Sequence, residues 1–190
     1  MTTINTVCIT KSFMTCGAKV EVTIEEGIGF HLTGGLTDIA VKECLLRVTT
    51  ALMGHGWKVP GKKIVINVRG AGACAQMYDL PIALGILVES DLVHVSNLNK
   101  YIIAGEVGLD SELRPLPPGI GAMVANYAQR AHFEGCVLPE FTALEATAYT
   151  HIKVLSANTI CKTIIALNTP SDYTVWRSRR YIDTKSKTDE

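Results

Sequence analysis

From Leu80 to Val88 the chain carries no charge at all, and a polar residue, Asp79, stands at the head of that run. A helix that is apolar all round cannot lie on a surface, so the fold must cover this segment on every side. Asp79 is placed to accept from the unpaired backbone N–H groups of the first turn, and Pro81 falls where a missing donor costs least. On this reading Asp79 is a helix cap, worth about 1 kcal/mol against alanine. The 190 residues, 47% of them hydrophobic, suffice for one well-packed core with an appendage.

The flanking patterns say what surrounds that helix. Val20, Val22 and Ile24 alternate with Lys19, Glu21 and Thr23, the period of a half-buried strand. After Gly34-Gly35, a cap at Thr37 or Asp38 opens an amphipathic helix whose stripe is Val41, Cys44, Leu45, Val48, Ala51 and Leu52, with Gly54 or Gly56 as its stop. Glu43 and Arg47, four apart, are expected to pair on its wet face. Ile64, Ile66 and Val68 then line one face of a strand. Tyr101–Val107 and Glu112–Leu116 predict a hairpin through Asp110-Ser111. Ile120, Met123, Val124, Tyr127, Ala128 and Ala131 predict a second amphipathic helix. A strand at Cys136–Leu138, a short helix near Phe141–Ala148, a strand at Ile152–Leu155 and a helix near Thr159–Leu167 follow. Strands first, then alternating helix and strand, predict an α/β (α+β) two-layer sandwich with a mixed sheet over residues 1–167. Residues 168–190 lose the periodicity and predict a polar extension or linker.

Eighteen basic and eighteen acidic residues leave no global field to recruit nucleic acid or a membrane surface. The amino terminus has no basic segment followed by an apolar run, and no stretch reaches the roughly 20 apolar residues of a membrane span. Six cysteines without C-x-x-C spacing read as small buried hydrophobes in a reducing compartment, which implies a cytoplasmic protein.

The segments Tyr78-Asp79-Leu80-Pro81-Ile82-Ala83-Leu84-Gly85 and Gly105-Glu106-Val107-Gly108-Leu109-Asp110-Ser111-Glu112-Leu113-Arg114-Pro115 resemble the amino-terminal domain of ComM/YifB-type, magnesium-chelatase-subunit-I-like ATPases. The resemblance covers about Val7 to Leu167. It extends more distantly to the proteolytic domain of Lon and the carboxy-terminal domain of RadA. It therefore implies the Lon-protease/GHMP-kinase/ribosomal-protein fold with its left-handed βαβ unit. Tyr78, Asp79, Pro81, Gly105, Glu106, Arg114 and Pro115 are the positions that match. Glu106 and Arg114 can pair across the hairpin, as structural support or as part of a site. The chain departs from the family before Tyr78, where Gly72-Ala73-Cys74-Ala75-Gln76-Met77 replaces the usual proline-lysine-acid-glycine run.

The Lon resemblance also implies where a serine–lysine dyad would sit: the serine position falls on Asp79 and the lysine position on about Ala122, and no lysine occurs between Lys100 and Lys153. The catalytic positions are thus degenerate and the domain is expected to be non-catalytic. Gly56–Lys63 comes within one residue of a phosphate-binding loop, but Lys63 replaces the magnesium-binding hydroxyl and the stretch leads from helix to strand, the reverse of the required order. Gly70–Ala75 mimics a dinucleotide fingerprint with a loop too long for it. His31, His55, His94, His132 and His151 share no ligand spacing, so neither metal nor cofactor is expected. Cys74 beside glycines reads as an idle thiol or a reactive one.

Trp176, Arg177, Arg179 and Arg180, with Tyr173 and Tyr181, form the one basic, aromatic cluster, suited to weak nucleic-acid contact or to a solvated or docking tail. Lys58, Lys62 and Lys63 are the next candidates for such contact. The leading expectation is an interaction or assembly domain serving a ring ATPase in DNA processing, with that AAA+ ATPase or a second copy of the chain as partner and no membrane. The alternatives are a Lon-like peptidase using Ser111 or Ser90 as a displaced nucleophile, or one domain of a longer AAA+ polypeptide.

Overall fold

Strand β1 (Thr2–Ile9) runs into β2 (Thr15–Glu25) and the two pair antiparallel along their length. The computed structural model describes residues 1–70, 72, 74–148 and 150–175. Strand β3 (Gly29–Gly34), helix α1 (Asp38–Gly54) and strand β4 (Lys63–Arg69) make a parallel β-α-β unit, and β4 also pairs antiparallel with β2. The first sheet is therefore mixed, in the order β1-β2-β4-β3. Its strands alternate as the sequence pattern requires: Val20, Val22, Ile64, Ile66 and Val68 are buried while Lys19 and Arg69 point to water. Thr37 caps α1 by accepting from the Ala40 N–H, and the helix buries Cys44, Val48, Ala51 and Leu52.

A 3-10 turn (Ala75–Tyr78) leads without a break into α2 (Asp79–Glu89), whose residues from Asp79 to Leu87 are all buried. That helix packs on β1 and β2 and against α1 and the later α5 (Ile160–Asn168), which is how its whole circumference is covered.

The expected mixed sheet occurs twice. Strands β5 (Tyr101–Ile103), β8 (Gly135–Pro139) and β9 (Lys153–Ala157) pair in parallel, and β10 (Thr174–Val175) adds to β9 antiparallel. Every residue of β5 and β8 is buried, so this second sheet is covered on both faces. The two-layer description fits the first sheet and is too thin for the second. Helices α3 (Ile120–Arg130), α4 (Glu140–Ala146) and α5 supply the cover, α3 packing on α4, β8 and β2.

The hairpin through Asp110-Ser111 is shorter than expected. It joins only β6 (Glu106–Val107) to β7 (Leu113–Arg114), because Tyr101–Ile103 is drawn into the second sheet by β8. Past the boundary expected at 167, a short helix α6 (Pro170–Tyr173) carries the chain back to pair Thr174 and Val175 with Leu155 and Val154. Tyr173 and Val175 pack against the core. Among the described residues no helix is long and apolar enough to cross a membrane.

Candidate functional site

The two motifs of the sequence are structural partners. Gly105 donates its N–H to the Met77 carbonyl at 3.1 Å, and its own carbonyl accepts from the Leu80 N–H at 3.0 Å. The Val107 N–H then reaches the Asp79 carboxylate at 3.3 Å. Residues 77–80 and 105–107 are thereby stitched backbone to backbone. A side chain at Gly105 would press on Leu80 and Pro139, which explains the glycine by close approach.

Asp79 is not a cap. The 3-10 turn ahead of it continues into the helix, so Asp79 is already helical, its side chain makes no capping bond, and Gly105 satisfies the Leu80 donor instead. The carboxylate turns toward α1, where Arg47 holds it in a fork: Nε to Oδ2 at 2.6 Å and Nη2 to Oδ1 at 3.1 Å. Its side chain is 0% exposed and that of Arg47 19%. Burial pushes the Asp79 carboxyl up from the ordinary carboxylate range, while Arg47, the Cys44 thiol and the Val107 N–H pull it back. The forked guanidinium has only donors to offer and its own proton affinity is raised by this carboxylate, so the pair is ionic. Arg47 therefore does not pair with Glu43 on the wet face. A fully buried carboxylate demands a cation, and Arg47 lies at the edge of a stripe facing α2. Arg47 and Cys44 are the site residues that reading along the chain missed.

Glu106 and Arg114 do sit opposite each other in the hairpin, but they form no ion pair. Arg114 bonds Asp110 and, at 3.2 Å, Glu112 instead. Tyr78 is buried and donates to the Gly70 carbonyl at 3.1 Å, closing the glycine loop. Pro81 is buried in the first turn of α2; Pro115 is exposed.

The remaining candidates fall into place less tightly. Ala122 is half-buried on α3. Ser111 is buried and donates to the Ala51 carbonyl at 2.6 Å, so its hydroxyl ties the hairpin to α1. Ser90 follows the end of α2, with its hydroxyl buried and without a partner among the described residues. All five histidines are exposed, and among the described residues no group of three or more His, Cys, Asp or Glu is placed to hold a metal. Gly56–Lys63 runs from α1 into β4 as a turn, with Lys63 paired to Glu25 and Lys58 and Lys62 exposed. Trp176, Arg177, Arg179, Arg180 and Tyr181 lie outside the described residues.

A cleft of about 290 Å³ opens between the outward face of β1–β2 and α3, lined by Asn5, Lys19 and Arg69 on one wall and Tyr127 and Phe133 on the other. A second, of about 380 Å³, lies against α3 beside Phe13, Thr15, Met123 and Arg130. Thr15, Gly17 and Lys19 are alternate residues on one face of β2, so the two clefts share that strand and α3 as walls.

The class of protein is an α/β domain with mixed sheets, its two sequence motifs joined by a backbone stitch and a buried ion pair. The family model described as subunit ChlI of Mg-chelatase matches residues 20–141, and the chain belongs to that family. It is 37% identical over 105 residues to the uncharacterized protein YifB of Salmonella typhimurium, covering 54% of this chain and 21% of that one. It is 34% identical over 152 residues to the competence protein ComM of Haemophilus influenzae, covering 78% of this chain and 29% of that one. A 26% match over 145 residues joins it to the uncharacterized protein Rv2897c of Mycobacterium tuberculosis. The chain thus spans less than a third of the length of these relatives.

Proposed function

We propose that this chain is a non-catalytic interaction and assembly domain of the ComM/YifB kind, with the Lon-like fold that the resemblance implies and a ring ATPase as its partner. The observation that carries the reading is the fate of Asp79. At the position where a Lon-like nucleophile would stand, the side chain is fully buried and consumed by Arg47 and the Val107 N–H. No substrate carbonyl can approach a group so enclosed, and an ionised carboxylate held by an arginine is a poor base. Ser111, one of the two serines offered as a displaced nucleophile, spends its proton on the Ala51 carbonyl. Membership of the Mg-chelatase subunit ChlI family and the similarity to ComM support a module that works beside a motor.

Size-exclusion chromatography with light scattering, with and without a ComM-type ATPase module, tests the assembly reading. Co-elution in defined stoichiometry is expected; independent elution across micromolar concentrations overturns it. Peptide and ATP hydrolysis by the chain alone should stay at background, and turnover lost in a folded Ser111→Ala or Ser90→Ala variant would restore the peptidase.

A second reading, weak contact with single-stranded nucleic acid, is favoured by the clefts along α3. Lys19 and Arg130 have no carboxylate partner among the described residues, and Tyr127 and Phe133 offer aromatic faces beside them. Fluorescence anisotropy should show salt-sensitive binding that Lys19→Glu/Arg130→Glu weakens. Binding unchanged in that variant and lost on removing residues 176–190 would place the contact on the Trp176–Arg180 cluster instead.

A further inference from the structure

The β1–β2 hairpin puts two cysteines face to face. Cys8 and Cys16 are register partners in the antiparallel ladder. Residues directly opposite in such a ladder have Cα atoms about 4.5–5.5 Å apart, inside the roughly 4.4–6.8 Å that a disulfide spans. Cross-strand partners in register project to the same face of the ladder, so the two thiols face each other. They differ in access: Cys8 is 6% exposed and Cys16 stands in solvent toward the hairpin's end. An exposed thiol with a sheltered one directly across the strand has the layout of an attacking and a resolving pair.

We infer that Cys8 and Cys16 form a reversible intramolecular disulfide by exchange with a low-molecular-weight disulfide such as oxidised glutathione. The Cys16 thiolate attacks one sulfur of the small disulfide, forming a mixed disulfide and expelling one small thiolate. The Cys8 thiolate then attacks the Cys16 sulfur, the protein disulfide forms, and the second small thiolate leaves. Two protein thiols are oxidised, one small disulfide is reduced to two thiols, and the two protons released by the protein end on them. Burial pushes the Cys8 thiol up, which leaves the first attack to the exposed Cys16.

The position of the pair gives the modification a consequence. Ile9, next to Cys8, has its backbone against Gly72, where no side chain would fit, and the Tyr78 hydroxyl lies at the same point. Cys8 and Cys74 both bear on the Tyr78 phenol. A crosslink there fastens the strand on which the glycine loop and the motif tyrosine rest. This site lies apart from the assembly reading and stands or falls without it.

The test is oxidation of the full chain carrying Cys74→Ser and Cys161→Ser, which removes the other partly exposed thiols. After incubation with oxidised glutathione and an acid quench, intact mass and peptide mapping should show a product two hydrogens lighter, with Cys8 joined to Cys16, and dithiothreitol should reverse it. Adding Cys8→Ser should halt the reaction at a single glutathione adduct on Cys16, and adding Cys16→Ser should leave Cys8 unmodified. Circular dichroism checks that each variant is folded, with Cys8→Ala replacing the serine if it is not. A stable adduct on Cys16 while Cys8 is present, or crosslinking of either cysteine elsewhere, overturns the proposal.

Discussion

Replacing Asp79 by alanine separates a joint from a cap. A lost helix cap costs about 1 kcal/mol. The structure calls for more, because the change strips both bonds from a guanidinium that is only 19% exposed and leaves the buried Val107 N–H without its acceptor. An orphaned buried donor costs about 1–3 kcal/mol, and breaking a buried pair by removing one partner costs about 3–5 kcal/mol. Since Arg47 retains some contact with water, the lower end applies, about 3 kcal/mol. With a urea m-value of about 2 kcal/mol/M, the midpoint should fall by about 1.5 M. Arg47→Met should cost at least as much at neutral pH, because it leaves the carboxylate sealed in with only Cys44 and Val107. Its sign with pH is distinctive. Burial already raises the folded carboxyl, and losing Arg47 raises it further, so the folded state binds the proton more tightly than the unfolded one. The variant should therefore regain stability as pH falls from 7 toward 5. The double change Arg47→Met/Asp79→Leu should recover most of the loss. A midpoint shift near 0.5 M for Asp79→Ala, the size expected of a cap, would refute the reasoning.

Three further outcomes follow from packing and protonation. Gly85→Ala places a methyl group against Val22 where α2 crosses β2, and should cost about 1–3 kcal/mol by overpacking; an unchanged melting temperature would show slack at that crossing. Burial pushes the Cys136 thiol up to about 12 from 9.0 and raises Cys44 and Tyr78 as well. The fold keeps protons that the unfolded chain gives up, so stability should decline as pH rises above about 9, less steeply in Cys136→Val, with urea titrations from neutral to alkaline pH as the measure. Ending the chain after Asn168 removes β10 and the packing of Tyr173 and Val175, and should lower stability by about 1–2 kcal/mol while the body stays folded; identical thermal melts for both lengths would mean that β10 contributes nothing.

The sequence by itself determined the elements and their buried faces. The uncharged run after Asp79, the alternation around Val20 and the stripes of α1 and α3 each needed only local periodicity, and each element lies where that periodicity placed it. Family membership was legible for the same reason, since the Tyr78 and Gly105 motifs are contiguous strings. Partnership was not. Asp79 looked like a cap because a polar residue before an apolar run has that local meaning, and only the 3-10 turn ahead of it and the approach of α1 gave the carboxylate to Arg47. Glu43 is the nearest acid in sequence to Arg47 and Glu106 the acid opposite Arg114 in the hairpin, yet neither forms the expected bond: Arg47 goes to Asp79 and Arg114 to Asp110 and Glu112 of its own turn. Tertiary contact also decided that Tyr101–Ile103 left the hairpin for β8 and that Cys8 met Cys16 across the first turn of the chain. Local pattern sets how much free energy a residue gains by being buried; which neighbour it is buried against depends on chain reversals that no window of sequence contains.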